Sequence, residues 1–274
     1  MLKPLLIAFA VLLFIPNLIN KDINEYLPYD HKEKFDASLS HLNSIDKLDQ
    51  YIDKVAAEKN AKPHSIEYAV IVEDVIARRF YHGFSHQSLS ENFIAAVSEK
   101  TIGYGLSCKV KPEEIMQHEN AACSQQSMVM MEIFKRKNIN YRSVGFPHHF
   151  AMEAFVDDHW YYMDANMEPN ISMAERKEES WKCCADKLKQ YYDKDRFRDL
   201  DFKFGNGQTT TLGVINEQPA KNAKIFQTAT GYASKLLWCL PLLILAYRRR
   251  KSFSKIKAPV IRLYPQEPSP LFSV

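Results

Sequence analysis

Glycine is scarce in this chain, and the short motifs of several common functions are missing. Only 8 of the 274 residues are glycine, which favours helices over a many-stranded β fold because glycine supplies many turns between strands. The sequence has no phosphate-binding glycine loop, no CxxC, no HExxH and no internal repeat. Without these motifs, no cofactor is expected. The formal net charge of +3 is small for such a length, so a nucleic-acid partner is not expected either.

The cysteines are few, and their number is odd. The chain has five of them, Cys108, Cys123, Cys183, Cys184 and Cys239. In an oxidising compartment, Cys108 could pair with Cys183 or Cys184. The adjacent pair could instead bind a metal or do redox chemistry, although no histidine or second cysteine pair lies nearby at zinc spacing. We therefore expect no metal site.

Cys123 lies at the predicted start of a helix. Residues 121–137 contain no glycine or proline, and apolar residues recur there at helical spacing, with Asn120 as the predicted N-cap. In the first turn, unpaired backbone N–H groups and the positive end of the helix dipole favour a thiolate. A thiolate is the nucleophilic form of cysteine, so Cys123 is a candidate nucleophile. A small buried apolar role is the alternative.

Two short strands downstream place a histidine and an aspartate on the same face of a hairpin. Apolar and polar residues alternate over 149–156 and 159–164, on either side of a tight turn at Asp157-Asp158. If residues 156 and 159 face each other, His149 and Asp164 are diagonal neighbours, about 7–8 Å apart at the backbone. His148 would then point away from the aspartate. The opposite face is apolar enough to pack on a helix.

These side chains supply a nucleophile, a base and an orienting acid. Cys123 would attack an acyl carbon, and His149 would accept the thiol proton and later protonate the leaving group. Asp164 would hold the imidazole in one tautomer and stabilise the imidazolium. The backbone N–H of Cys123 is the natural first donor to an oxyanion. The structural alternatives are that His149 is an ordinary core or surface histidine and that Asp164 only helps to form a turn at the end of its strand.

The order and spacing of these residues resemble the catalytic core of the transglutaminase-like superfamily, which is related to papain-type cysteine peptidases. Members place a cysteine at a helix start, then a G-I-x-x-R-x-V-G strand, an H-x-x-x-E strand and a W-x-x-x-D segment. The matching residues are Cys123, Asn138-Ile139-Asn140-Tyr141-Arg142-Ser143-Val144-Gly145, His149 with Glu153, and Trp160 with Asp164. Asn138 replaces the usual glycine, a tolerable change because asparagine accepts left-handed backbone. Ala151 replaces a common aromatic residue.

The resemblance covers residues 119–169 and implies that Cys123, His149 and Asp164 form the catalytic triad. Papain-like enzymes add a glutamine upstream of the cysteine, and Gln117 lies six residues before it. Gln117 is therefore the candidate second oxyanion donor, with a surface position as the alternative. Gln125 and Gln126 are expected on the surface of the helix.

The rest of residues 41–225 is expected to complete one transglutaminase-like domain. The expected fold class is α+β, a papain-like or transglutaminase-like core with helices packed on an antiparallel sheet. Residues 201–216 contain Gly205-Asn206-Gly207, a turn that could join two further strands. Other helices are predicted over 44–60, 65–81, 90–100 and 173–192.

Apolar segments lie near both ends of the chain. Residues 1–20 carry Lys3 before an apolar run and have no A-x-A-like cleavage site, so they are interpreted as a signal anchor or signal peptide. A polar linker is expected over 21–40. Residues 229–247 are interpreted as a transmembrane helix, and a buried C-terminal helix is the alternative.

The basic run Arg248-Arg249-Arg250-Lys251 follows directly and is typical of a cytoplasmic helix end. Residues 248–274 are thus predicted to be a basic, proline-containing, disordered cytoplasmic tail. Lys3 also favours a cytoplasmic N-terminus, so the domain between the two apolar segments is expected on the extracytoplasmic side, periplasmic or extracellular.

Three classes of function are compatible with these features. The first is a membrane-tethered extracytoplasmic thiol enzyme that hydrolyses amide or peptide bonds, or transfers acyl groups, on a protein or peptide substrate through a thioacyl intermediate. A water-excluding groove would favour transfer to an amine, and an open groove would favour hydrolysis. The second is an inactive domain of the same fold that binds peptide or glycan partners in a cell-envelope assembly. The third is a structural membrane protein whose cysteine, histidine and aspartate are coincidental.

Overall fold

In the computed structural model, the chain combines helices with one antiparallel sheet. The described residues are 2–24, 27–182, 185–205 and 210–256. The α-helices are α1 Leu2–Phe14, α2 Ile45–Glu58, α3 Ile66–Arg79, α4 Leu89–Ile102, α5 Pro112–Ile115, α6 Cys123–Arg136, α7 Glu178–Trp181, α8 Ala185–Lys189, α9 Leu200–Phe204, α10 Lys221–Leu236 and α11 Cys239–Ile256. The strands are β1 Asn140–Gly145, β2 Phe150–Val156, β3 His159–Met163 and β4 Thr211–Leu212. The predicted α+β class is confirmed.

The strands lie in the order β3-β2-β1-β4, and every neighbouring pair is antiparallel. Val156 faces His159 across the β2–β3 turn, which is the predicted register. Asp157 and Asp158 have φ angles of 45° and 60°. A two-residue hairpin turn whose twist matches its strands needs this left-handed backbone, and aspartate tolerates it.

The segment after the hairpin differs from its prediction. Residues 201–204 belong to α9 rather than to a strand, and only β4 follows as a strand in the described part of this region. Asn206 and Gly207 of the predicted turn lie outside the described residues. The helix predicted over 173–192 is instead two short helices, α7 and α8, and residues 183–184 between them are also outside the described part.

One face of the sheet packs on α6 and α3 mainly through apolar side chains. The alternation of β2 and β3 puts their apolar residues on this face, as predicted. They join one buried cluster with residues of the two helices, including Met152, Ala154, Val156, Tyr161, Met163, Val72, Ile76, Met128, Met131 and Phe134. Complete burial of such a side chain stabilises the fold by about 1.5–3 kcal/mol. This cluster fixes the position of α6, and therefore of its first residue, relative to the sheet.

The opposite face of the sheet is covered by α7, α8 and α9. Its smaller apolar cluster includes Phe146, Ala151, Tyr162, Trp181, Tyr192 and Phe204. His149 and Asp164 also lie on this side, directly before β2 and directly after β3. The two halves of the predicted polar pair are thus buried beneath aromatic rings.

The helices predicted before the cysteine are confirmed as α2, α3 and α4. Serine hydroxyls cap all three, because Ser44, Ser65 and Ser88 each accept the backbone N–H three residues later at 3.3 Å. Ser88 also donates its own N–H to Glu91 at 2.7 Å, which completes a capping box. The segment predicted as a linker contacts the domain, since Asp36 accepts from Arg78 at 2.7 Å.

The helix predicted over residues 229–247 is not one continuous helix. α10 ends at Leu236, α11 begins at Cys239, and the two axes differ by 51°. Pro241 explains the break, because it lacks the N–H that would bond to the Leu237 carbonyl in a continuous helix. Within the described ranges, no single helix has both the length and the apolar character to cross a membrane, and α10 with α11 meets these conditions only as a bent pair.

Candidate active site

The three side chains predicted to form a triad come together at one end of the sheet. His149 Nε2 and Asp164 Oδ2 are 2.6 Å apart, and both side chains are almost fully buried. His149 also shares a hydrogen bond with the thiol of Cys123, the first residue of α6. Because Nε2 is used by the aspartate, Nδ1 is the ring nitrogen left for the cysteine. The same-face prediction is confirmed.

The electrostatics of the site favour a thiolate and an imidazolium. Burial opposes the charge on His149, but the carboxylate of Asp164 and the sulfur of Cys123 outweigh it and raise the pKa of His149 to about 10. Burial would also raise the pKa of the Cys123 thiol. The hydrogen bond and charge of His149, with the N–H of Phe150, outweigh that effect and lower the pKa of Cys123.

Asp164 remains charged because five groups act on its carboxylate. Burial alone would raise its pKa, and the charge of His149 and several hydrogen bonds lower it instead. Oδ2 accepts the hydroxyl of Tyr192 at 2.7 Å, and Oδ1 accepts the N–H groups of Asn166 and Met167, each at 3.2 Å. The Tyr162 hydroxyl lies 2.8 Å from that of Tyr192 and 3.4 Å from Oδ2. The two tyrosines were not identified from sequence.

A buried ion pair holds the backbone of the aspartate. Glu73 of α3 accepts the N–H of Asp164 at 2.6 Å. Arg176 binds both oxygens of Glu73, at 2.9 and 2.8 Å, and donates to the carbonyl of Tyr162 at 3.0 Å. Since Asp164 directly follows β3, this pair positions its backbone from the side of α3. Nothing in the local sequence marks either residue.

A buried glutamine fixes the helix turn that carries the nucleophile. Gln125 accepts the N–H groups of Ala122 and Ser85, at 3.1 and 3.0 Å, and donates to the carbonyls of Ser85 and Lys109, at 2.9 and 2.8 Å. All its hydrogen-bonding groups are therefore used. The surface position expected for Gln125 is wrong, and so is that of Gln126, which is equally buried.

The helix start differs from its prediction by two residues. Ala122, not Asn120, occupies the N-cap position, and the Asn120 amide instead donates to the Phe84 carbonyl at 2.7 Å. Further along, Asn138 has φ 54° after the end of α6. This left-handed backbone explains why asparagine is acceptable where the resembling sequences have glycine.

The predicted role of Gln117 as an oxyanion donor is wrong. Its side chain is exposed and donates to the Asn43 carbonyl at 2.7 Å, away from the cysteine. Ile115 and Met116 are fully buried just before it, so the chain turns Gln117 outward. Of the two predicted donors, the backbone N–H of Cys123 at the start of α6 is the one that the structure keeps at the site.

Aromatic rings separate His149 from water. Phe146 is stacked on its imidazole with ring centroids 6.1 Å apart, and Phe204 of α9 packs at 5.2 Å. In contrast, His148 is exposed and stacks on Phe202 at 3.8 Å, as its predicted outward direction requires. Exclusion of water strengthens the charge interactions within the triad.

Two of the other four cysteines, Cys108 and Cys239, belong to the described part of the chain. Cys108 is a buried free thiol whose pKa burial raises to about 12. Its proposed partners Cys183 and Cys184 lie outside the described residues. Cys239 is a partly exposed free thiol in α11. Elsewhere in the described part of the chain, no three His, Cys, Asp or Glu side chains are grouped so as to hold a metal ion.

A thiolate beside a buried imidazolium can attack an acyl carbon and then protonate the group that leaves. Comparison of the chain with family models, curated proteins and solved structures found no significant match. The chemistry of Cys123, His149 and Asp164 is therefore inferred from their geometry and charges.

Proposed function

We propose that the protein is a membrane-bound thiol enzyme that hydrolyses amide or peptide bonds, or transfers acyl groups, through Cys123, His149 and Asp164. The observation that carries this proposal is the buried His149, bonded to Asp164 at 2.6 Å and hydrogen-bonded to a cysteine at a helix start. The resemblance of residues 119–169 to the transglutaminase-like superfamily supports the same chemistry and a protein or peptide substrate.

The reaction begins with the thiolate of Cys123 and the imidazolium of His149. The sulfur attacks the acyl carbon, and the oxyanion that forms accepts the backbone N–H of Cys123. As the carbon–nitrogen bond breaks, His149 gives its proton to the leaving amine, which leaves a thioester on the sulfur. His149 then takes a proton from water or from an acceptor amine, which attacks the thioester and releases the acid or the new amide. Asp164 stabilises the imidazolium each time it forms.

Attachment to a membrane accounts for the apolar helices at the two ends. Phe14 of α1 contacts Trp238 with ring centroids 5.3 Å apart, and Asn17 donates to the carbonyl of Ser234 at 3.1 Å. α1 and α11 expose large apolar side chains, including Leu5, Val11, Leu12, Leu240, Leu243 and Tyr247. So much exposed apolar surface is unfavourable in water. A bilayer covering it would leave the basic run after Tyr247 on the cytoplasmic side.

Extraction from membranes checks this attachment. The full chain should stay in the membrane fraction in alkaline carbonate and be released by detergent, because apolar contacts resist high pH and salt. Release by carbonate alone would contradict the insertion of α1 and α11 into the membrane. It would leave the proposed chemistry of Cys123 untouched.

Alkylation of Cys123 tests the proposed chemistry. The full chain in lipid nanodiscs is treated with iodoacetamide between pH 5 and 9, and the rate at Cys123 is followed by mass spectrometry of its peptide. We expect fast alkylation at pH 6, well below the free-thiol pKa of about 8.5, because His149 lowers the pKa of Cys123. His149→Ala should remove this low-pH reactivity.

His148→Ala is the matched control, since it changes the neighbouring exposed histidine and should leave the pH profile unaltered. A Cys123 that reacts only as an ordinary thiol would overturn the enzyme proposal. An inactive domain that binds peptide or glycan partners would then be the better interpretation of the same fold.

A further inference from the structure

We infer that an apolar pocket beside Cys123 binds an apolar group carried on the acyl side of the substrate, with the start of α10 as one wall. The inference rests on the proposed function, because it names the substrate class of the same site. The shared chemistry is an alkyl or aryl group attached near the reactive carbonyl. It can come from an apolar peptide side chain or from a fatty-acyl chain.

The chain neighbours of two proposed catalytic residues line the pocket. Ser124 and Phe150, which directly follow Cys123 and His149, both line it. The backbone N–H of Phe150 is one of the groups that lower the pKa of Cys123. The same residue therefore acts on the proposed nucleophile and forms part of the pocket. A group on the acyl carbon bound at that sulfur has the pocket directly beside it.

The size and lining of the pocket favour an apolar occupant. Its volume is about 450 Å³, and its exposed surface is mostly apolar. Phe84, Val110 and Met128 add to the apolar lining. Pockets that bury most of a small ligand have volumes of about 300–1,000 Å³. The space is thus large enough for a chain of several methylenes or for an aromatic side chain.

The start of α10 supplies small residues to the wall. Ala220 and Ala223 line the pocket with Pro219. A larger side chain at either alanine would occupy the space that the substrate needs. The wall is held in place by Gln227, one turn further along α10, which donates to the carbonyls of Cys108 at 2.7 Å and Leu106 at 3.2 Å.

α10 also connects this wall of the pocket to the apolar helices α1 and α11. Asn92 of α4 donates to the Gln227 carbonyl at 3.1 Å and to the Thr230 hydroxyl at 2.9 Å. The Ser234 hydroxyl donates to the Asn92 side chain at 3.1 Å. The distance from Ala223 to Ser234 along the helix is about 16 Å at 1.5 Å per residue. The pocket therefore lies within reach of apolar groups close to the proposed membrane surface.

Acylation by a series of activated esters tests the pocket. The full chain in phosphatidylcholine nanodiscs is treated with p-nitrophenyl esters of acetate, butanoate, hexanoate and octanoate. Nitrophenol release gives the rate, and mass spectrometry confirms the acyl group on Cys123. We expect the second-order rate constant to rise about fourfold for each added methylene until the pocket is full, which follows from about 0.8 kcal/mol for each buried CH₂.

Filling the pocket should abolish this dependence. Ala223→Trp is expected to make the rate nearly independent of chain length, while iodoacetamide alkylation of Cys123 stays as in the parent. Ala229→Trp is the matched control, because Ala229 is exposed on the same helix and should change neither rate. The ester series on the parent protein decides the question even if Ala223→Trp fails to fold.

Aminoacyl esters distinguish the two sources of the apolar group. A larger gain with N-acetyl-leucine or N-acetyl-phenylalanine esters over the glycine ester identifies peptide side chains, and a larger gain with fatty-acyl esters identifies lipid chains. Both results support the pocket. Rates independent of the acyl group, with low-pH alkylation of Cys123 intact, overturn the inference and leave the proposed function standing. If Cys123 of the parent protein is not alkylated rapidly at low pH, the proposed function itself is overturned.

Discussion

The two faces of the sheet are both covered by helices but contain different chemistry. On the side of α6 and α3, β2 and β3 present apolar residues that meet other apolar residues. On the side of α7, α8 and α9, the same strands present His149, Glu153 and Tyr162, with Asp164 beyond them. Strand alternation puts adjacent residues into these two environments. One side is thus mainly an apolar core, and the other holds polar groups that need partners.

Each buried charge on the outer face has a partner. His149 is paired with Asp164, and Arg142 contacts Glu153 at 2.6 Å and Glu178 at 2.9 Å. Burial nevertheless raises the pKa of Glu153 to about 7, against the lowering effect of Arg142. Burial of a charge is therefore costly even where a partner is present. Removing one partner of a buried ion pair should cost more free energy of unfolding than removing an apolar contact.

The largest effect is expected from Glu73→Ala. It leaves the Arg176 guanidinium buried without a counter-charge and the Asp164 N–H without an acceptor. The free energy of unfolding, measured with denaturant, should fall by about 3–5 kcal/mol. Replacing both partners by Glu73→Leu with Arg176→Met should recover much of this loss. A fall below about 1 kcal/mol in the single variant would show that the Glu73–Arg176 pair contributes little to the stability of the fold.

Met163→Ala changes the side of the sheet that packs on α6 and α3, one residue away from Asp164. Met163 is fully buried against α6 and α3, so its truncation should lower the free energy of unfolding by about 3 kcal/mol through lost burial and a cavity. The pH profile of Cys123 alkylation should be unchanged in the folded protein. A shifted profile would break the distinction between the two faces.

Asp164→Asn is the matched change on the outer face. Asparagine cannot stabilise the imidazolium, so the pKa of His149 should fall and that of Cys123 should rise. We expect the alkylation rate at pH 6 to drop about 10²-fold, near 2.7 kcal/mol, with a much smaller difference at pH 9. Equal rates for the variant and the parent at pH 6 would remove Asp164 from the triad.

The smallest effect is expected from Tyr192→Phe. It removes one hydrogen bond to a charged carboxylate, the 2.7 Å contact with Asp164 Oδ2, and should cost about 1.5 kcal/mol of unfolding free energy. The alkylation rate at pH 6 should fall severalfold as the carboxylate becomes a weaker partner of His149. Tyr191→Phe, at the neighbouring position, serves as control and should alter neither quantity.

The triad could be predicted because each of its elements has a local signal. A two-residue turn determines the register of a hairpin, and a shift by one residue would exchange its faces. Asp157 and Asp158 supplied that turn, and the pairing of His149 with Asp164 followed. The cysteine was identified by its place at a helix start, which local spacing also marks.

The failed predictions concern residues without such a signal. Gln117 was chosen by its spacing from Cys123, but spacing does not say which way a loop side chain points. Gln125 was expected at the surface because glutamine is usually exposed, and only the contacts with Ser85 and Lys109 show why it is buried. Pro241, which interrupts the predicted apolar helix, is a local signal for a helix break. The prediction of one helix used the hydropathy of the segment and did not take this proline into account.

The sequence by itself determined the class of the fold, the strand register and the proximity of His149 to Asp164, because caps, turns and periodicity act over a few residues. The tertiary structure alone decided which groups stabilise the charges of these side chains and hold them in position. Glu73 lies 91 positions before Asp164, and Tyr192 lies 28 positions after it. The walls of the pocket likewise come from distant parts of the chain. Partners this far apart meet only when the apolar core closes, and no local pattern records that choice.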